Sequence, residues 1–580
     1  MKSSPGRDVP ASLLSSTLCA PLGRPPQVSL FELAPDSECS GLLGTASQLA
    51  SFDPGILVEI ERDLDAHALD KKRKRWEHQR WIEEQSGALI DLPPRDMGKL
   101  RLAAGRPRMH PLAVLGFLLL RGWLGGAKDS RFELVLRESV SLQIFLHNLG
   151  QPLPATSTIE ENLNALGDET RGRIHRAGLG LALGEGLDDL EGLRLDSTHC
   201  ASASAYPTDS GTLTKLVCRT CSRMGNLGRI GLPALARGET GPIGDAADEM
   251  RKLNYRICTL TSSSAMGAER AARQEGPQSG GDRGGGSEVE TPGKQGSAAK
   301  GESAKTRLRR ELYEELYARA QAVLEMLAPL VGAVEKLIAA RPCSPGMRER
   351  RERWQSAMGD DVQAAAAVIE QSRRRVCEGK RPSAKTKMPL SVSDPSASFI
   401  EKGGWERVFG YRPQCGFSTG GLVTVLVVPE GNQSDQSQLS QVVDEAIANT
   451  GVVPGVVTVD DGYTGGAELI RVEGAGVEVV SFSGARGRAL LGEERWGDER
   501  YIQARRDRNG AESGISVLKD KVGFGQLARA GIGGVRAEQL EKVLAANALK
   551  IVALRKRKYE REQLASWSGG MPGDGKREVA

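Results

Sequence analysis

Residues 505–521, Arg-Arg-Asp-Arg-Asn-Gly-Ala-Glu-Ser-Gly-Ile-Ser-Val-Leu-Lys-Asp-Lys, concentrate the residue types from which a reactive site could be built. Read as a helix at about 100° per residue, Arg508, Glu512 and Lys519 fall within about 40° of one another. One face then carries a carboxylate flanked by two cations, and Ile515, Leu518 and Val522 form an apolar stripe beside it. Such a helix can pack while it holds the carboxylate at the edge of a core. Two more acids end apolar runs: Asp196 in Leu-Arg-Leu-Asp-Ser-Thr and Asp460 in Val-Val-Thr-Val-Asp-Asp-Gly-Tyr. Two aspartates from strand ends and a glutamate from a late helix make an oxygen-rich pocket suited to a pair of hard divalent cations.

The elements that must bring these acids together can be read in order. Residues 1–53 are rich in Ser, Pro and Gly and predict a loosely ordered tail. Residues 54–178 carry helical periodicity, with Leu112–Leu124 the most apolar stretch and Thr156-Ser-Thr-Ile-Glu-Glu a helix start capped by Ser157 or Thr158. Several short helices suit either a DNA-binding module or a generic bundle. Within 190–210, Gly192–Ser197 predicts a strand ending on Asp196. Residues 211–390 read as a helical insertion. It contains a polar stretch, 261–305, too poor in apolar residues to order itself, and three helices, the first ending at Pro329. In residues 391–555 a hairpin of 407–418 with 421–428 is predicted, then helix 435–449, strand 455–460, helix 467–472, strand 477–482 and the charged helix. Residues 556–580 form a basic tail.

Composition narrows the setting. At 580 residues the chain exceeds one core, and nine scattered cysteines do not read as a disulfide framework. The pair Cys218 and Cys221 is better read as two buried or half-buried thiols than as a zinc site. Residues 1–23 show no secretory signal, and the longest apolar run, near 111–120, is too short to span a bilayer. A cytoplasmic, nucleoid-associated protein with no membrane partner is expected. The net charge of +4 decides little. Basic clusters at 71–75, 373–375, 380–387 and 555–558 are each a solvated face or tail, yet four in one chain point to a polyanion partner.

The acids and their order resemble the DDE transposases of bacterial insertion sequences. The spacing Arg508-x3-Glu512-x6-Lys519 matches the end of that family's signature helix, although Arg505 stands where its tyrosine is usual and Tyr501 is out of register. Asp460-Asp-Gly-Tyr463 resembles the second-aspartate motif and Asp196-Ser-Thr198 the first, followed by Tyr206-Pro-Thr-Asp-Ser210. Ser393–Ala397, Lys402-Gly403, Gly410-Tyr-Arg-Pro-Gln414 and Gly431-Asn-Gln-Ser-Asp435 also match one subgroup, and Gly105-Arg-Pro107 with Ser157–Ile159 matches its N-terminal domain.

The resemblance implies an α/β ribonuclease H-like mixed sheet flanked by helices, with an all-α N-terminal domain and a helical insertion after the first strand. It also implies that Asp196, Asp460 and Glu512 hold two Mg²⁺ ions, with Mn²⁺ as a substitute, about 3.5–4 Å apart. Water would cut at the element's end, and the freed 3′-hydroxyl would attack target DNA in line. Arg508 and Lys519 would contact phosphate, or simply neutralise Glu512. The partners implied are terminal inverted repeats, target DNA and a second copy of the chain. A ribonuclease H-like nuclease without strand transfer, or a silent DNA-binding derivative, are the alternatives. Asp461 is expected to cap a turn, and Trp496, where some members stack a flipped base, to be packed or half-exposed.

Overall fold

The computed structural model describes residues 37–85, 108–125, 130–204, 208–232, 237–274, 304–380, 391–402 and 406–568. The motifs at 105–107, 206–207 and 403, and the basic residues 381–387, lie outside them. The strands are β1 (Gly192–Ser197), β2 (Cys200–Ala201), β3 (Ser398–Lys402), β4 (Glu406–Tyr411), β5 (Gln414–Phe417), β6 (Val423–Val427), β7 (Val456–Val459) and β8 (Val479–Phe482). Five form a mixed sheet in the order β6-β5-β1-β7-β8. In it β1, β7 and β8 run parallel, while β5 is antiparallel to β1 and to β6. Helices flank this sheet, an arrangement consistent with the ribonuclease H-like class. A smaller sheet has the order β2-β4-β3.

The expected strand 407–418 is two strands in different sheets. Arg412-Pro413 separates them, and proline has no N–H to continue a ladder. The β5–β6 hairpin turns at Gly420-Gly421, where Gly421 has φ 89°, a left-handed conformation open to glycine.

Chain contacts divide the protein into two units, one from 1–72, 94–205 and 396–580 and the other from 73–93 and 206–395. The first holds the five-stranded sheet. Its core joins Leu193 and Leu195 of β1 to Val457 and Val459 of β7, Val479 and Val480 of β8, and Val442 and Val443 of helix Leu439–Thr450. Early helices belong to the same unit, including Pro111–Leu124 and Asp168–Gly184. A long helix, Ile532–Ser568, packs against both. Their shared interior holds Glu541, which is 2% exposed and bonded to Arg121 (2.7 Å), Arg171 (3.1 Å) and Arg529 (2.9 Å).

Several boundaries differ from expectation. The tail predicted for 1–53 contains helix Ser37–Phe52, with Cys39, Leu42, Leu43, Ala46, Leu49 and Ala50 buried at helical spacing. Small residues among them diluted the apolar signal. The helix expected to be capped by Ser157 or Thr158 begins at Thr156 after Ala155, without a side-chain cap. The basic tail from 556 is helical through Ser568, the end of the long helix.

The second unit is helical: Asp209–Gly225, Arg237–Gln274, Ala304–Ala340 and Pro345–Val376. The disorder expected from 261 is not met through Gln274, which is helix; 275–303 lie outside the described residues. Nor does Pro329 end its helix. Leu312, Leu316, Val323, Leu327 and Val334 are buried along one stripe that crosses it, and this packing offsets the roughly 3 kcal/mol that an interior proline costs.

Candidate active site

Strand register places the two aspartates side by side. On parallel neighbours, Gly192 faces Val456, Leu193 faces Val457 and Arg194 faces Thr458. Two residues further along each chain stand Asp196 and Asp460, on the same side of the sheet because side chains alternate. Both leave the carboxyl ends of their strands, where open α/β sheets place their ligands.

Glu512 arrives on a helix laid against β1 and β5. The predicted single helix is two, Glu499–Asp507 and Asn509–Val522, meeting at Arg508. The second lies very close to the sheet. A Cβ on Gly510 would stand 2.5 Å from Arg194 Nη1, and one on Gly514 would stand 2.6 Å from Phe417 Cε1. Glu512 stands between these glycines in the chain.

Asp196, Asp460, Glu512 and Lys519 line one cavity of about 490 Å³, with Ser197, His199 and Arg412. Burial, and next Asp460, push the Asp196 carboxyl up to about 6, against a lowering by Arg508. Burial also raises Asp460, with Asp435 adding to it and the Gly462 N–H, Arg508 and Arg412 opposing. Arg508 is thus near all three acids, and its ion pair with Glu512 measures 3.3 Å. Its Nε is buried without a hydrogen-bond partner among the described residues. Glu512 is 59% exposed, and among the described residues no three of Asp, Glu, His and Cys are grouped closely enough to hold an ion. The donors still suit a hard divalent cation: two half-buried aspartates whose charge the local cations do not fully offset, and a third carboxylate on the same cavity.

A second row lies behind the aspartates. Asp435, 5% exposed, pairs with Arg412, accepts from Gln414 Nε2 (2.9 Å) and accepts from Ser197 Oγ (3.3 Å). Arg412 Nε also donates to Ser197 Oγ at 3.2 Å, and the Tyr463 hydroxyl donates to Gln414. This row ties the residue after Asp196 to the tyrosine after Asp460. Sequence reasoning gave these residues no role, although Arg412, Gln414 and Asp435 sat inside the quoted motifs.

Asp460 caps its own turn, accepting from the Gly462 N–H at 2.9 Å. Asp461 accepts from Thr464 Oγ1 (3.2 Å) and also from the Gly487 N–H (2.9 Å) at the start of helix Ala485–Gly497, a wider role than the expected turn cap. Trp496 is half-buried under the Arg505 guanidinium, 3.9 Å from its ring centre. Arg505 is therefore a stacking partner where the resemblance led one to look for tyrosine. Cys218 and Cys221 are half-buried free thiols in the second unit, Cys221 pushed by burial up to about 11.

Residues 371–548 match the family model described as the transposase DDE domain. The chain carries a transposase DDE domain. The match contains Asp460 and Glu512; Asp196 precedes it, and residues 206–395 separate β1 and β2 from β3–β8. No match was found among curated proteins or solved structures. No helix among the described residues is long and apolar enough to cross a membrane.

Proposed function

We propose that the protein is a DNA transposase of the insertion-sequence type, cutting at element ends and joining the freed 3′-hydroxyl to target DNA. The observation that carries this reading is the meeting of Asp196, Asp460 and Glu512, from three distant parts of the chain, on one cavity within the unit that holds the DDE match. Asp196, Asp460 and Glu512 would hold Mg²⁺, or Mn²⁺ in its place. Bound there, such ions would activate the attacking oxygen and stabilise the leaving one.

The chain's own residues prepare for this. With its carboxyl at about 6, Asp196 is mostly ionised at neutral pH and meets a cation as a carboxylate. For Glu512 to join the aspartates it must leave Arg508, and the guanidinium is then free to grip a phosphate. Lys519, on the same cavity, adds a point charge for the DNA backbone. The substrates would be terminal inverted repeats and target DNA, with two copies of the chain holding a pair of ends in the cytoplasm.

Asp196→Ala, Asp460→Ala and Glu512→Ala should each bind end DNA yet lose Mg²⁺-dependent cleavage by about 10³-fold or more. A variant that cuts and joins at the wild-type rate would remove its residue from the site. Cleavage without joined product would favour the nuclease alternative. Binding by the wild-type chain without cleavage in either metal would favour the silent derivative.

A further inference from the structure

The helical second unit has a basic groove of its own, about 470 Å³, lined by Arg223, Arg229, Ile230, Arg350, Arg353 and Trp354. Its walls are held rigidly. The Trp354 indole, 7% exposed, donates to the Arg223 carbonyl oxygen at 3.3 Å. Buried Asp361 accepts from Arg223 Nε at 3.0 Å and also holds Arg219. Arg351, 3% exposed, pins the short turn Leu227–Ile230 to helix Pro345–Val376: its Nε donates to the Ile230 carbonyl (3.1 Å) and its Nη1 to that of Arg341 (2.7 Å).

On this frame stand three exposed arginines with little to neutralise them. Arg229 and Arg350 have no carboxylate partner among the described residues. Arg353 meets Glu349 at 3.5 Å, an exposed i,i+4 pair worth only a few tenths of a kcal/mol. Arg350 and Arg353 are three residues apart on one helix face, and Arg229 comes from the pinned turn. Like charges gathered on a stiff surface repel one another unless an anion sits between them, and guanidinium forks match phosphate oxygens.

We propose that this groove binds the phosphate backbone of DNA independently of sequence, as a second contact surface in the unit that holds none of the three acids. The choice of DNA as the source of phosphate rests on the transposase reading; the phosphate chemistry does not. Lys and Arg contacts of this kind release counterions, so they are read in the salt dependence of binding.

The test uses the full-length chain and a duplex of arbitrary sequence, with binding followed by fluorescence anisotropy from about 50 to 200 mM NaCl. Arg229→Ala/Arg350→Ala/Arg353→Ala should weaken binding and lower the slope of log K against log salt by about 2–3, at about 0.9 per lost phosphate contact. A control, Arg307→Ala/Arg309→Ala/Arg310→Ala, removes the same charge from another helix of the unit and should change the slope less. Equal effects of the two variants, or an unchanged slope in a groove variant that melts normally, would overturn the proposal. So would stabilisation of the wild-type chain by inorganic phosphate, lost in the groove variant, while DNA binding stays the same; that is a small-anion site. In the wild-type chain, bound duplex should shield Arg229, Arg350 and Arg353 from phenylglyoxal, and full reactivity would again overturn it. The readout is binding, so the proposal can fail while cleavage by the three acids stands, and the reverse.

Discussion

Glu541 and the Asp196–Asp460 pair are both acids withdrawn from water in the same unit, but they are treated in opposite ways. Burial alone would push the Glu541 carboxyl up, yet Arg121, Arg529 and Arg171 outweigh it and hold it below the ordinary range. The two aspartates are only half-buried, yet there burial prevails: Asp196 stands at about 6 and Asp460 is raised. An acid compensated by three guanidiniums locks helices together. Acids left under-compensated at the end of a sheet store an appetite for cations, which a site needs and a core does not.

The largest effect expected from this contrast is in stability. Glu541→Ala leaves three arginines without their common partner and should cost about 3–5 kcal/mol in denaturant unfolding. A loss below about 1 kcal/mol would mean that the cluster is not the compensated interior described.

Asp435→Asn sharpens the comparison from the other side, since Asp435 is a compensated acid next to uncompensated ones. Weakening its charged bonds to Arg412 and Gln414 should cost about 1.5–3 kcal/mol of positioning, read as a tenfold or greater fall in turnover with DNA affinity retained. Unchanged turnover would reduce the second row to packing.

The smallest effect is a gain. The Asp196 carboxyl rises from 3.8 to about 6 on folding, so its ionised form is disfavoured in the native chain. Whatever that neutral carboxyl adds to stability is present in full below about pH 3.8 and is lost as pH rises through about 6. In metal-free buffer at alkaline pH, Asp196→Asn should therefore melt higher than wild type, by about 1–2 kcal/mol, because the cavity tempers the penalty. The gain should vanish under acid conditions. A variant less stable than wild type at alkaline pH would contradict the under-compensation.

How much of this was legible depends on what each element buries. Asp196 and Asp460 could be found because each ends a short β-rich run, and the Glu512 helix because its cations recur at helical spacing. The long helix Ile532–Ser568 was not, since it buries Glu538, Gln539, Glu541, Lys542 and Asn547 among its apolar residues and so shows no clean stripe. Helix Ser37–Phe52 hid for a related reason, its buried face being partly Ala, Cys and Thr. Pro329 misled because local preference was weighed without the packing that overrides it. The second row around Asp435 escaped because hydrogen bonds between residues far apart in sequence leave no local pattern.

The position of β1 has a consequence for biosynthesis. It is the middle strand of the sheet, yet both neighbours, β5 and β7, are encoded after the entire second unit. At about 5–20 residues per second, a ribosome would leave β1 with two open edges for on the order of ten seconds or more. During that interval the nascent chain must be kept from pairing with the wrong strand, most simply by early collapse of the helices that precede it.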